Sequence, residues 1–458
     1  MTRADDRLVL VQVRMAIACY AIAIVGGMIA AWHYLPDVSQ RLAGSGMALQ
    51  RLRPIHTTFA SLWIYGAAIA VMYHYLVHRG DGLRPADRTR FWFHTGCWIL
   101  AGVGCVVSLG AGISSGREYL GFHPACSLLF FVGWIALAIN FLRRLRNGFW
   151  GQPIYVWFWT VGILFFMVTF AEGHAYLLPW VEQSPVRDLQ IQWKSCGTLV
   201  GSFNFLVYGS LIYVAERLTG DKTYGQSRIA FALFGVGCLN SFTNYAHHTY
   251  HLPQSETVKW IAFVVSMLEI VILFRVASDL FAAVRASKRA PCMTSAYLGS
   301  AKWWTGAILL SSLLISVPSL NAYIHGTHVV TGHAMGAEIG IDTMALFGGV
   351  CFLLTELRGE SARARLHCGR MRWHLGIMNA SLVTLFGWLT ISGTVRGIYR
   401  INGEALPDWV GYGAWVFPLA GFVLGATLLY QLVRWAPLLG PQSQESALVD
   451  APDTAAAE

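Results

Sequence analysis

The chain has 458 residues, 55% of them hydrophobic and only 12% charged, with 18 Trp and 25 Phe. A soluble domain carries about 25% charged residues, so the composition excludes a soluble globular protein and implies an all-α protein of many membrane-spanning helices. The net charge of +9 calls for no nucleic-acid partner, because the basic residues sit in short loops.

Met1 to Arg7 is short and charged. The apolar run after it is too long for the core of a signal peptide and has no convincing cleavage site, so it reads as the first span. About twelve apolar segments are long enough to cross a bilayer. They fall near 12–33, 55–77, 91–110, 124–143, 154–178, 197–216, 228–249, 257–282, 302–325, 328–356, 372–394 and 409–434. Residues 1–436 form one transmembrane domain, with no internal repeat. Residues 437–458, rich in Pro, Gln, Ser and Ala, read as a disordered tail.

The loops set the orientation. Those after the second, fourth, sixth, eighth and tenth spans carry Arg79, Arg84, Arg88 and Arg90; Arg143, Arg144 and Arg146; Arg217, Lys222 and Arg228; Arg285, Lys288 and Arg289; and Arg358, Arg363, Arg365, Arg370 and Arg372. The positive-inside bias makes these loops and both termini cytoplasmic. The loop 35–53, with three Arg, fits this pattern least well.

The residues with metal chemistry then share a depth. His56 begins the second span, Cys196 precedes the sixth, His247 and His248 end the seventh, and His333 and Met335 lie near the start of the tenth. All fall in the outer third of the membrane. Histidines scattered through a core would have no reason to share a level.

The densest stretch is Asn321 to Asp342, with three His, one Met and two acids. His and Met suit haem iron and copper. A helix turns about 100° per residue, so His333 and Met335 point about 200° apart and one helix can serve a cofactor on each side. An ionisable residue inside a membrane helix is functional by default; Met335 is either a ligand or core filling. On a regular helix Glu338 and Asp342 share the Met335 face, away from His333.

In Arg51-Leu-Arg53-Pro-Ile-His56, a helix-start histidine has basic residues just outside it. This suits an axial haem ligand with arginines for propionates, or an interfacial histidine. In Asn244-Tyr-Ala-His247-His248-Thr-Tyr-His251, adjacent histidines at a helix end can converge on one metal, or form a wet interfacial cluster; His251 lies beyond the helix. Glu269 is an acid in mid-span, fit for a proton relay or a ligand. Glu118, in Gly116-Arg-Glu-Tyr-Leu, can bind a cation, hold a haem edge or simply be solvated. Glu172 and His174 lie where protons could enter. The nine Cys include no C-x-x-C pair, so the spacing offers no C-x-x-C-H haem attachment and suggests no disulfide framework.

With these motifs in place, the chain resembles the haem–copper oxidase superfamily, and within it the large subunit of cytochrome c-dependent nitric oxide reductase. The resemblance covers nearly all the spans. It rests most specifically on the His247-His248 doublet and the His325-Gly-Thr…His333 run. It implies a subunit I-like bundle of twelve helices holding a low-spin haem b, a high-spin haem b and a non-haem iron or copper. Under it, His56 is an axial ligand of the low-spin haem and His333 is the proximal ligand of the high-spin haem. His247 and His248 bind the third metal, His325 lies near the propionates, Glu118 near a bridging calcium, and Glu269 near the active site.

The chain departs from the family pattern at four positions. The third metal histidine falls on Cys196, the glutamate one turn later on Val200, the second haem histidine of the tenth span on Met335, and the second acid of the Gly-Arg-Glu motif on Gly121. A His/Met haem has a raised potential, and a cysteine softens the third site toward copper or thiolate-bound iron.

The resemblance implies reduction of NO to nitrous oxide in a bacterial inner membrane, with electrons from a cytochrome c or a membrane-anchored c-haem subunit. The alternatives are a C-type-like oxygen reductase and a non-catalytic haem-binding subunit for electron transfer or sensing. If Met335 is an axial ligand, Met335→His shifts the low-spin optical spectrum and lowers its potential while the high-spin signal persists; an unchanged low-spin spectrum removes Met335 from that role.

Overall fold

The computed structural model of the protein describes residues 5–440 except 80, 81, 146, 147, 290, 291 and 367. Among the described residues the secondary structure is entirely helical. The long helices are α1 (Asp6–Ala31), α2 (Leu49–His78), α3 (Pro85–Gly110), α4 (Pro124–Leu142), α5 (Ile154–Gly173), α6 (Pro185–Thr219), α7 (Arg228–Thr243), α8 (Glu256–Ala286), α9 (Cys292–Ser316), α10 (His328–Arg365), α11 (Met371–Asn402) and α12 (Asp408–Leu439). Eleven of these are long and apolar enough to span a membrane. The exception, α7, is shorter and is followed by the single turn Tyr245–His248. Each of the twelve expected segments overlaps one of these helices.

Local chemistry sets the starts. Pro185 opens α6, and the Ser184 side chain accepts from the Arg187 N–H at 3.4 Å, a proline-plus-serine N-cap. The helix therefore begins well before the apolar stretch, and Cys196 lies inside it rather than before it. Hydropathy marks where a helix enters lipid, whereas capping marks where it starts. Thr327 caps α10 by accepting from Val329 N–H at 3.4 Å, so His333 falls in the second turn. At the far end, α12 runs through Pro437 to Leu439. Residues 437–439, expected in the tail, are thus helical, and residues 441–458 of that segment lie outside the described residues.

The most apolar windows of α2, α6 and α10 are 78%, 83% and 83% buried, against 33% for α8 and 39% for α11 and α12. The first three therefore form the centre, and the others present apolar faces outward, as a bundle in lipid requires. The helices pair along the chain: α1 lies on α2 and α12, α3 on α4, α5 on α6, and α8 on α7 and α9.

Small residues bring particular elements close. A Cβ on Gly397 would lie 1.7 Å from the Tyr323 carbonyl oxygen, and one on Gly393 2.6 Å from Val329 N. These glycines, one turn apart on α11, let it press against the segment that carries His325 and leads into α10. Backbone is the obstacle in both cases, so nothing flexible can move aside. Gly397→Ala is expected to destabilise the protein by about 1–3 kcal/mol through overpacking and to displace the 323–329 segment, read as a lower thermal midpoint in detergent.

Candidate functional site

His56 lies one turn past the arginines on α2. Its Nδ1 is 2.7 Å from the Ala23 carbonyl oxygen. A carbonyl only accepts, so Nδ1 carries the proton and Nε2 keeps its lone pair for another partner. Gly26 and Gly27 make room for this: a Cβ on Gly27 would sit 2.6 Å from His56 Nδ1. In the sequence these are two adjacent glycines in α1, with no sign of what they face.

On α10, His333 Nδ1 is 3.4 Å from Ser311 Oγ of α9. Met335 is half-buried against the core. Directly after Met335 the helix widens into a π-helical stretch, Gly336–Thr343, a feature frequent at functional sites. A Cβ on Gly340 would lie 2.4 Å from Trp304, and one on Gly336 2.5 Å from Ile308, so α9 presses directly on this stretch. The widening changes the angle per residue that a regular α-helical wheel assumes. Glu338 accepts a hydrogen bond from the Tyr119 hydroxyl. Tyr119 is a non-glycine residue in the left-handed region, with φ of 60°, a strained conformation found mostly where function requires it.

The doublet sits on the single turn Tyr245–His248 that follows α7. The His247 and His248 ring centres are 4.3 Å apart, and both lie within electrostatic range of His333. Trp193 of α6 stacks on His248 at 5.0 Å, with 3° between ring planes. Ser266 Oγ is 3.3 Å from His247 Nδ1 and 2.8 Å from Asn240 Oδ1, and Asn240 Nδ2 donates to Glu269 Oε2 at 2.5 Å. Gly237 leaves space for Glu269, whose Oε1 would lie 3.5 Å from a Cβ there.

Cys196 is buried, and Glu118, Glu338 and Arg53 are within its electrostatic range. Glu118 accepts from Arg53 Nη2 at 2.8 Å, so two expected site residues pair with each other. Arg51 donates to the Gly110 carbonyl at 3.1 Å. His325 stacks beside His251, ring centres 4.3 Å apart. Burial first, then His251 and Arg400, push its pKa down to about 4. Near neutral pH it is an uncharged hydrogen-bonding group.

Glu172 is engaged by Lys194 and by Thr198 at 3.1 Å. Both His174 nitrogens have partners, the Phe170 carbonyl and Ser127. These two residues are satisfied within the fold. Tyr119, Trp193, Asn240, Ser266 and Ser311 carry no signal in the sequence, because each is an ordinary helix or loop residue until its neighbour across the bundle is known.

The donor chemistry suits haem at two positions, His56 and His333, each with Nδ1 beside a protein oxygen. His247 and His248 form a nitrogen pair suited to a further metal. Among the described residues, no three His, Cys, Asp or Glu side chains are grouped to hold a metal ion; His247 and His248 adjoin one another, and Cys196 lies toward the Glu118–Glu338 side.

Among the described residues, eleven helices long and apolar enough to cross a membrane, with histidines carried into the bundle, define a multi-pass membrane protein. The family model for cytochrome c and quinol oxidase polypeptide I matches residues 7–435, and the chain belongs to that family. Its members are oxidoreductases that bind haems and a copper or iron site, and this chain is a multi-pass membrane oxidoreductase of that kind.

The chain is similar to cytochrome c oxidase subunit 1 of Rhodobacter capsulatus, 24% identical over 379 residues, covering 78% of this chain and 69% of the relative. It is also similar to the cbb3-type cytochrome c oxidase subunit CcoN1 of Stutzerimonas stutzeri, 20% identical over 364 residues, 76% and 75% of the two chains. A nitric oxide reductase subunit of the same species is 20% identical over 416 residues, 81% and 84%. A heme-copper terminal oxidase dimer solved by cryo-EM superposes with a TM-score of 0.70 at 15% identity, covering 97% of this chain and 85% of that one. The all-helical, subunit I-like fold expected from the sequence is thereby established, with eleven spanning helices among the described residues where about twelve were expected.

Because the His56 ring rests directly on Gly27, Gly27→Ala is expected to push the imidazole off the Ala23 carbonyl. If His56 holds a haem, the purified protein should then show a changed or missing haem band while its α-helical circular dichroism stays intact.

Proposed function

We propose that the chain is the catalytic subunit of a nitric oxide reductase, joining two NO with two electrons and two protons to give nitrous oxide and water. His56 and Met335 would hold a low-spin haem b, with Arg51, Arg53 and His325 serving its propionate side. His333 holds a high-spin haem b. His247 and His248 hold a non-haem iron or copper; Cys196, expected as a third donor, sits on the Glu118–Glu338 side and is not grouped with them. Glu118 serves a calcium ion. When bound, these groups supply reduced metals that take up and polarise the substrate.

The chain's own residues do the rest. Histidines from the turn after α7 and from α10 bring the two metal positions together, which turns an encounter of two gas molecules into a positioned reaction. The apolar surroundings keep water out. Glu269, buried on α8 and linked to His247 through Asn240 and Ser266, is the carboxylate that takes up protons for the reaction.

That link between a buried carboxylate and His247 is the observation that carries the reading. The span of the resemblance adds weight, since the match reaches 84% of the reductase relative and 69% of the first oxidase. An oxygen reductase is the second reading, favoured by the higher identity to oxidase subunits. Such enzymes use a cross-linked tyrosine near the metal. Tyr250, beside the doublet, spends its hydroxyl on the Ser316 carbonyl at 2.8 Å and the Lys259 carbonyl at 3.2 Å, which speaks against that role for it.

Electrons enter from a cytochrome c or a c-haem subunit, since this chain has no C-x-x-C-H motif. The loop charges put both termini on the cytoplasmic side of a bacterial inner membrane, with the site toward the exterior and protons drawn from there.

Purified protein supplied with reductant and NO should release nitrous oxide. Glu269→Gln should lower that turnover by roughly 10²–10⁴-fold with both haem spectra preserved. Rapid reduction of oxygen to water with no nitrous oxide from NO would replace this reading with the second.

A further inference from the structure

The hydrogen bonds from Glu269 to His247 have a direction, and the direction can be worked out from the chemistry of each group. An ionised Glu269 only accepts, so the Asn240 amide must turn its Nδ2 toward it, as it does at 2.5 Å. That leaves Asn240 Oδ1, which also only accepts, facing Ser266 Oγ at 2.8 Å. Ser266 has one hydroxyl proton and spends it there. What remains on Ser266 toward His247 Nδ1, 3.3 Å away, is a lone pair. Nδ1 must therefore carry hydrogen, and Nε2 must carry the free lone pair.

We infer that Asn240 and Ser266 are positioning residues that fix His247 in the tautomer that binds metal through Nε2, and that they transmit the negative charge of Glu269 to that ligand. A partner that accepts from the far nitrogen of a ligating histidine raises the ligand's basicity and locks its ring orientation. Each bond in such a chain polarises the next inside a low-dielectric bundle. The three links span two helices, α7 and α8, so the register of α8 against α7 sets the ligand's electronic state. This deepens the proposed function and rests on its assignment of His247 and His248 to a third metal.

The test uses the full-length, haem-loaded protein titrated anaerobically with ferrous iron and, in parallel, cuprous copper, with affinity read by chelator competition. A second readout is the stretching frequency of CO bound to the reduced high-spin haem, which senses a neighbouring metal. Ser266→Ala should weaken third-metal binding by about 10–100-fold and shift the CO band, with both haem spectra unchanged as the folding control. Ser266→Thr, which keeps the hydroxyl, should restore both. Asn240→Leu, which leaves Ser266 in place but cuts it from Glu269, should weaken binding less than Ser266→Ala does. A Ser266→Ala protein with wild-type affinity and an unshifted CO band overturns the relay alone. A wild-type protein that holds both haems but binds neither metal overturns the third-metal assignment, and the relay with it.

Discussion

An imidazole has two nitrogens, and a metal-binding histidine can give only one of them to the protein. In a bilayer interior there is no bulk water to satisfy the other, so each ring must be placed with one nitrogen against a protein oxygen and the second left available. The site depends on this division. His56 has the Ala23 carbonyl, His247 has Ser266 and His333 has Ser311. The partners come from α1, α8 and α9, none of which carries these histidines. The bundle must therefore pack correctly as a whole before any one ligand is oriented, and the close-approach glycines of α1, α7, α10 and α11 serve that packing.

Much of this is legible in the sequence for a physical reason. Crossing a bilayer forces long apolar helices, and charge asymmetry in the loops gives each a direction, so depth can be assigned to every histidine without knowing any contact. That is why His56, His247, His248 and His333 read as one layer. The order of the helices around the bundle is not written in this pattern. Trp193 against His248, Tyr119 against Glu338, and Ser266 between Asn240 and His247 are all juxtapositions of residues that look unremarkable on their own helices.

Two differences between sequence and structure have identifiable causes. Hydropathy places the start of α6 at 197, whereas a serine–proline cap outside the apolar stretch starts it at Pro185. Hydropathy also gives no sign of the π-helical stretch after Met335. Glu338 within it meets a strained Tyr119, with Glu118 and Cys196 nearby.

The π-helical stretch also divides α10 into two independent halves. A wide turn inserted just after His333 and Met335 absorbs rotation, as a swivel does, so the azimuth of these two residues need not be the azimuth of anything beyond Thr343. The remaining twenty-odd residues can drift in sequence and repack against α2 and α6 without turning them. Conversely, a substitution that regularised the stretch would rotate every residue on one side relative to the other, and would be felt at both ends of the membrane at once.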